Sequence, residues 1–173
     1  DALTGLPNRA LFKDRLAVAL AQARRSKQML AVMFLDLDRF KVVNDTAGHA
    51  EGDQWLRTVG RLLTRLVREG DTVARVGGDE FTVLLPAVAR VQDAVHIAER
   101  ILDALRRPRT VAGHEFHVTT SIGITFYPTD NSDTMRLLKN ADIAMYQAKD
   151  SGRNNFKFFT ERMHTELLEY HEL

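Results

Sequence analysis

Apolar residues recur along the chain with helical spacing in four segments and run almost without interruption in a fifth. The helical spacing predicts amphipathic helices over residues 8–27, 54–68, 91–105 and 133–150. The continuous run at residues 29–37 predicts a central strand that is buried on both faces of a sheet. The chain therefore combines long helices with at least one central strand.

Shorter apolar or β-branched segments predict the other strands. Residues 72–76 and 81–85 flank a glycine-containing turn and are typical of a hairpin. Alternation over residues 115–127 and a short run at 156–159 predict two more strands. The order of these elements predicts an α+β fold, in which helices flank a mixed central β-sheet with a ferredoxin-like βαββαβ core.

The domain organisation follows from length and from the end of the chain. A length of 173 residues is that of one domain, which we assign to residues 1–160. Residues 161–173 are charged, have helical spacing and contain little to bury. We predict that they form a linker helix toward a further domain.

Composition narrows the classes of function. The formal net charge of +1 gives no bulk electrostatic reason to expect a nucleic acid or an anionic membrane as partner. The absence of cysteine excludes disulfides, thiol nucleophiles and cysteine-ligated metals. No apolar run approaches the ~20 residues of a membrane span, and no leader segment is visible. We therefore expect a cytoplasmic location, including the case in which the domain belongs to a membrane-anchored protein.

Two carboxylates end the predicted central strand. Asp36 and Asp38 lie two residues apart, so their side chains point to the same face. Such a pair at the edge of a core repels unless solvent or a cation neutralises it. Carboxylate oxygens suit Mg²⁺, which keeps part of its water shell and takes further oxygens from phosphates. The alternative is a strand end that enters water with both acids solvated.

The predicted hairpin turn carries a second acidic pair. Gly77 and Gly78 permit positive φ and the close approach of a bulky anion, and Asp79 and Glu80 follow them directly. Taken alone, this segment is typical of a tight turn with a solvated tip. Two acid-bearing elements in one small sheet favour a shared metal site of the kind that phosphoryl transfer requires.

A polar segment at residues 40–53 follows the first acid pair. Lys41 offers a point charge to a phosphate, and Asn44 and Asp53 are able to read the edge of a base. An Asp accepts from the N1–H and N2–H₂ donors of guanine, which adenine lacks. The alternative is a loop followed by a helix start, with Asp53 on the helix dipole and Asn44 in a turn.

Spaced motifs over nearly the whole chain resemble the GGDEF family of diguanylate cyclases, whose signature is present in full as Gly77-Gly78-Asp79-Glu80-Phe81. The other matches are residues 1–9 at the start, Phe40-Lys41, Asn44-Asp45, Gly48-His49 and Gly52-Asp53 in the polar segment, and Tyr146, Ala148-Lys149 and Gly152-Arg153-Asn154 near the end. The resemblance implies a fold like that of nucleotidyl cyclases and polymerase palm domains. It also implies an enzyme that condenses two GTP into cyclic di-GMP with release of two pyrophosphates.

The resemblance further implies roles for individual residues. Asp36, Asp79 and the Leu37 carbonyl would bind Mg²⁺ or Mn²⁺, with Asp38 a weaker candidate. Asp79 and Glu80 are both candidates to take the proton of the attacking 3′-hydroxyl. The implied substrate-binding residues are Asn44 and Asp53 for guanine, Lys41, Lys149 and Arg153 for phosphate, the backbone near Arg39 and Phe40, and the turn residues Gly77 and Gly78. Lys149 and Arg153 also have a structural alternative, because basic residues near a helix C-terminus favour the helix dipole.

A second implied site lies ahead of the signature glycines. Arg68 and Asp71 form an Arg-x-x-Asp pair at the position of the family's product-binding inhibitory site. Arg offers a planar fork to phosphate or to the edge of guanine, and Asp accepts guanine donors. The structural alternative is that Arg68 ends a helix and Asp71 begins a turn.

Two other functions remain open beside a cyclase with product inhibition. One is a non-catalytic module that binds GTP or cyclic di-GMP and regulates an attached domain. The other is a related nucleotidyl cyclase or palm domain for other nucleotides, although Asn44 and Asp53 favour guanine. As a cyclase, the domain would act as a transient or tethered homodimer, because each subunit binds one GTP.

Overall fold

A five-stranded sheet lies at the centre of the computed structural model, which describes residues 1–111, 113–130, 133–161 and 163. The helices are α1 (Arg9–Ser26), α2 (Phe40–Ala47), α3 (His49–Leu66), α4 (Val91–Leu105) and α5 (Thr134–Asp150). The strands are β1 (Met29–Leu37), β2 (Thr72–Arg75), β3 (Glu80–Val88), β4 (Arg109–Val111), β5 (His114–Phe116), β6 (Thr120–Tyr127) and β7 (Asn155–Phe158).

The strand order is β2-β3-β1-β6-β7, with every neighbouring pair antiparallel except β6 and β7, which are parallel. The succession β1-α3-β2-β3-α4-β6 is a ferredoxin-like βαββαβ unit, and α5 with β7 extends it at one edge. Strands β4 and β5 form a separate two-stranded sheet. The predicted α+β fold with a mixed sheet is therefore confirmed.

The central strand β1 is buried on both faces, as its apolar run predicted. Met33 and Leu35 belong to the core under α3 and α4, whereas Val32 and Phe34 belong to the core under α1 and α5. Because side chains alternate along a strand, Asp36 continues the face that α1 and α5 cover. The same packing that buries β1 thus brings a carboxylate to the end of an apolar layer.

The structure differs from the sequence interpretation at two places. The alternative given for residues 40–53, a loop followed by a helix start, is wrong, because these residues form α2 and the first turns of α3. Helix α2 has only two buried residues, Phe40 and Val43, which is too short a pattern to reveal a helix. The strand expected at residues 115–127 is divided into β5 and β6, because β5 pairs with β4 whereas β6 pairs with β1 and β7.

The predicted linker helix at residues 161–173 lies outside the described residues, apart from positions 161 and 163. Within the described ranges, no helix has both the length and the apolar character that a membrane crossing requires.

Gly123 lets α5 approach the sheet more closely than any other residue would permit. A Cβ atom at this position of β6 would lie 1.9 Å from the carbonyl oxygen of Ala141 and 2.2 Å from the backbone nitrogen of Met145. Both atoms belong to the backbone of α5, so they cannot move aside as a flexible side chain would. The close contact places the C-terminal half of α5 against β6 and β1.

We expect Gly123→Ala to destabilise the protein by about 3 kcal/mol, which corresponds to roughly 6–12 °C in melting temperature. The added methyl group must push α5 away from β6. Thermal unfolding followed by circular dichroism measures the effect. Gly70→Ala is the matched control, because no atom lies within 4 Å of a Cβ at that position. Equal melting temperatures for the two variants would contradict this account of the contact.

Candidate active site

The pairing of β1 with β3 brings the two acidic pairs of the sequence together. Asp36 lies directly opposite Glu80 in the register, and the backbone N–H of Leu37 donates to the carbonyl oxygen of Asp79 at 3.1 Å. Asp36, Asp79 and Glu80 are far apart in the chain, yet they share one end of the sheet. The predicted convergence of the two acid-bearing elements is therefore observed.

Asp36 is a buried carboxylate with one satisfied oxygen and one unsatisfied oxygen. It is 7% exposed, and its Oδ2 accepts a hydrogen bond from Lys149 Nζ. Its Oδ1 is buried without a hydrogen-bond partner. Burial raises the pKa of Asp36 to about 6, against the lowering effect of Lys149, and the nearby charge of Asp79 adds to the rise.

The chemistry of these donors fits a divalent cation with oxygen ligands. The Asp79 side chain lies close enough to Asp36 to raise the pKa of Asp36. Two carboxylates this close, one with an orphaned oxygen, repel unless a proton or a cation lies between them. In the described part of the chain no group of three or more His, Cys, Asp or Glu side chains could hold a metal ion. Two carboxylates still suit Mg²⁺, because this ion keeps several waters and takes oxygens from substrate phosphates.

The turn between β2 and β3 is held by a residue that the sequence did not reveal. The Arg75 guanidinium donates to the Gly78 carbonyl oxygen at 2.8 and 3.0 Å and forms an ion pair with Asp1 at 3.2 Å. A Cβ atom at Gly77 would lie 3.0 Å from Glu80 Oε2, so this glycine leaves room for the Glu80 carboxylate. Neither glycine of the turn has a positive φ, contrary to the use we expected for them. The only sequence feature that could have indicated this role is the position of Arg75, two residues before the glycine pair.

Glu80 is half-buried beside charges of both signs. Burial raises its pKa, the carboxylates of Asp142 and Asp79 raise it further, and Arg9 and Lys149 oppose the rise. Sequence analysis did not single out Arg9 or Asp142, which come from α1 and α5 and are brought to the site by tertiary packing alone. The surroundings of Glu80 thus favour its protonated form more than water would.

Lys149 lies in the last turn of α5, and Arg153 lies in the turn that follows this helix. Lys149 contacts Asp36, so its charge lies within the acidic cluster and not only at a helix terminus. Beyond it, Gly152, Arg153 and Asn154 have φ values of 105°, 64° and 50°. Three successive residues in this region form a sharp turn, from which the exposed side chain of Arg153 projects.

The corner between α2 and α3 brings Asn44 to Gly52 and Asp53. The N–H of Gly48 donates to Asn44 O, and the N–H of Gly52 donates to Gly48 O. A Cβ atom at Gly52 would lie 1.8 Å from Asn44 Oδ1, so the Asn44 amide rests directly on this glycine. Asp53 is exposed and lies beyond the first turn of α3, whose acidic residue is Glu51. The alternative role of Asp53 as an acid of the first turn is therefore not observed.

The start of α2 follows β1 at once and presents its backbone near the acidic cluster. Arg39 is the N-cap of α2 and has a left-handed backbone, with φ 58°. Phe40 is buried and anchors the helix, whereas Arg39 and Lys41 are exposed. Free N–H groups at a helix N-terminus are suited to bind an anion such as phosphate.

Arg68 and Asp71 lie at the other end of β2 from the signature turn. Asp71 Oδ2 accepts from the backbone N–H of Arg68 at 2.8 Å, and the N–H of Asp71 donates to Arg68 O at 3.0 Å. Burial raises the pKa of Asp71, which these contacts oppose. The structural alternative is observed only in part: a turn is present, but α3 ends at Leu66, and Arg68 opens the turn that Asp71 closes. Arg68 itself is exposed.

The fold and the site define an α+β domain with an acidic centre where its central strand meets the β2–β3 turn. The chain belongs to the GGDEF family, since the family model described as the diguanylate cyclase GGDEF domain matches residues 1–155.

Relatives in bacteria agree with this assignment. The chain is 44% identical over 173 residues to the bifunctional diguanylate cyclase/cyclic di-GMP phosphodiesterase MucR of Pseudomonas aeruginosa, covering 100% of this chain and 25% of MucR. It is 44% identical over 156 residues to the diguanylate cyclase TpbB of the same species, covering 90% of this chain and 36% of TpbB. The chain thus spans about a quarter to a third of these proteins.

Solved structures share the fold. A structure comprising only the GGDEF domain of TpbB matches with a TM-score of 0.93 and 41% identity, over 97% of this chain and 98% of that one. The GGDEF domain of DgcB from Caulobacter crescentus, in complex with cyclic di-GMP, matches with a TM-score of 0.84 and 31% identity, over 91% and 94%.

The raised pKa of Asp36 predicts a pH dependence of stability in the presence of a chelator. The folded state binds the Asp36 proton up to about pH 6, whereas the unfolded chain releases it near 3.8. Between these values the folded state holds more protons, so the free energy of unfolding falls as the pH rises, by up to about 3 kcal/mol.

Urea unfolding in EDTA from pH 3.5 to 7.5 measures this dependence in the wild type and in Asp36→Asn. We expect the stability of the wild type relative to Asp36→Asn to fall across this interval. Loss of the Lys149 contact shifts the level of the variant's curve but not its slope. Asp45→Asn, at an exposed position, is the control. Parallel curves for the wild type and Asp36→Asn would refute the assignment.

Proposed function

We propose that this domain condenses two GTP into cyclic di-GMP and two pyrophosphates, and that it requires Mg²⁺ or Mn²⁺. The observation that carries the proposal is the buried Asp36, which has an orphaned oxygen and whose pKa is raised by Asp79 of the signature turn. A buried carboxylate with an unsatisfied oxygen is costly to the folded state and is typical of a cation-binding site.

Asp36, Asp79 and the Leu37 carbonyl would hold the ion. When bound, it supplies charge neutralisation at the phosphates and favours ionisation of the attacking hydroxyl. The exposed cations Lys41 and Arg153 bind phosphate oxygens. Lys149 also binds them when its partner Asp36 is shared with the ion. The N–H groups at the start of α2, near Arg39 and Phe40, add donors of fixed direction, and Gly77 and Gly78 leave room for the triphosphate beside the turn.

Guanine is read at the α2–α3 corner. Asn44 presents both a donor and an acceptor, and Asp53 accepts from the N1–H and N2–H₂ edge. The contact of Asn44 with Gly52 supports this role, because it fixes the amide next to Asp53 before any ligand arrives. A preset pair discriminates against adenine, which lacks these donors.

Glu80 takes the proton of the 3′-hydroxyl. Its raised pKa and its place beside the turn support this role over Asp79, whose oxygens bind the ion. The 3′-oxygen of one GTP bonds to the α-phosphorus of the other, and the bond from that phosphorus to pyrophosphate breaks. The 3′-oxygen of the second nucleotide then bonds to the α-phosphorus of the first, with loss of the second pyrophosphate, and this closes the ring. Two copies of the domain must therefore face each other.

The remaining proposals concern the setting of the domain. Residues 1–160 form the cyclase domain, and residues 161–173 lead toward a further domain. The partners are GTP, cyclic di-GMP and a second copy of the chain in a transient or tethered dimer. Neither a nucleic acid nor direct membrane contact by this chain is required, and the reaction takes place in the cytoplasm, where GTP is available.

Incubation of the purified chain with GTP and Mg²⁺ over a range of protein concentrations tests the activity. We expect cyclic di-GMP, detected by chromatography, to rise faster than linearly with protein because two copies must meet. Asp79→Ala should lower the rate by about 100-fold or more. Asp103→Ala is the control, since that acid is exposed on α4 and pairs with Arg106. GTP binding without product, even after fusion to a dimerising segment, would favour the regulatory module.

We further propose that Arg68 and Asp71 bind the product and inhibit the enzyme. Arg68 presents an exposed guanidinium beside an acceptor, which suits a phosphate and a guanine edge. Their position across β2 from the signature turn supports a site separate from the reaction, because four strand residues span about 13 Å.

Arg68→Ala should weaken the binding of cyclic di-GMP by about 10-fold or more and relieve inhibition, because a charge-assisted contact to phosphate is lost. Isothermal titration calorimetry measures the binding. Arg61→Ala, which removes an exposed arginine of α3, should bind the product as the wild type does. Unchanged affinity in Arg68→Ala would rule out this site.

A further inference from the structure

Asp38 is a buried carboxylate whose oxygens are all engaged by the protein. It follows β1 directly and is 2% exposed. Its Oδ2 accepts from Thr119 Oγ1 at 2.7 Å and from the backbone N–H of Asn154 at 3.1 Å, and its Oδ1 accepts from Ser121 Oγ at 2.7 Å. Its own N–H donates to Thr119 O at 2.8 Å.

This environment differs from that of Asp36, two residues earlier. Asp36 has an orphaned oxygen, whereas each oxygen of Asp38 has at least one donor from β6 or from the segment that precedes β7. Three of the roughly four acceptor positions of the Asp38 carboxylate are already occupied, and an ion that displaced one of these bonds would leave a buried donor unpaired. Two acids that look equivalent in the sequence therefore differ in their hydrogen bonding.

The bond to Asn154 fixes the turn that carries Arg153. At its first end the turn is tied to α5, because the N–H of Arg153 donates to Ala148 O at 3.1 Å and that of Gly152 donates to Lys149 O at 3.3 Å. At its other end the Asp38 carboxylate holds the N–H of Asn154. Non-glycine residues with positive φ persist only where their surroundings over-determine them, and the bond from Asn154 to Asp38 adds a long-range contact to the local bonds from Gly152 and Arg153.

We propose that Asp38 is a positioning residue: it holds the turn at residues 152–154 so that Lys149 and Arg153 face the phosphates of the nucleotide. The proposal rests on the function proposed above, in which these two residues bind phosphate. Asp38 acts through its acceptor geometry and not as a ligand of the ion.

The charge of Asp38 is not needed for this role. In Asp38→Asn the amide oxygen takes the place of Oδ2 and accepts from Thr119 and Asn154, while the amide N–H₂ donates to Ser121, whose hydroxyl rotates to accept. Asp38→Ala removes all three bonds and frees the turn. A metal ligand would behave differently, because an amide is a much weaker ligand than a carboxylate.

The test compares the binding of GTP with Mg²⁺ and of guanosine to the 173-residue chain by calorimetry. Guanosine has no phosphate and uses only the guanine-binding corner. We expect Asp38→Ala to weaken GTP binding by about 10-fold or more and guanosine binding by less than about 2-fold. Asp38→Asn should bind both within about 3-fold of the wild type. Thermal unfolding of each variant shows whether it is folded.

Thr119→Val is the second variant, for the case in which Asp38→Ala does not fold. It removes one donor with little change of shape, and it should weaken GTP binding but not guanosine binding. Equal losses for both ligands would overturn the proposal in favour of a general structural role. Loss of GTP binding in Asp38→Asn as complete as in Asp38→Ala would overturn it in favour of a metal ligand. Failure of the proposed function is distinct, because the wild type would then form no cyclic di-GMP.

Discussion

The register of β1 between β3 and β6 is the constraint on which the rest of the structure depends. It sets Asp36 opposite Glu80 on one side and opposite Ser121 on the other. A slip of one residue would move every side chain of β1 to the other face and would drive Asp36 into the layer beneath α3 and α4. Such a slip would also disrupt the close packing of β1 against the layers on both of its faces, so the position of the acidic centre follows from the packing of the core.

Asp36 and Asp38 have different surroundings at the end of one strand. Both are almost fully buried, but only Asp38 has every oxygen satisfied by neutral donors. Asp36 keeps an orphaned oxygen, a cationic partner and a carboxylate neighbour, and its pKa is raised to about 6 by burial. The first acid has the electrostatics of a site that binds an ion, and the second has the geometry of an anchor.

Elements with a long apolar pattern in the sequence were predicted better than elements with a short one. Strand β1 and helix α4 have the predicted bounds, because each contains a long apolar pattern. Helix α2 was missed because two buried residues in eight make no periodic signal. The division between β5 and β6 was missed because alternation is the same in both strands, and only their pairing partners differ.

The amino-acid sequence by itself determined the α+β class, the central strand, the family and the list of acids, bases and polar residues from which a site could be built. Tertiary structure alone decided how those residues are arranged. It set Arg75 on the Gly78 carbonyl, Asn44 on Gly52 and Asp38 on the N–H of Asn154. Only the last of these contacts joins residues remote in the sequence, 116 positions apart. The geometry of all three depends on strand register and helix packing, which no local pattern encodes.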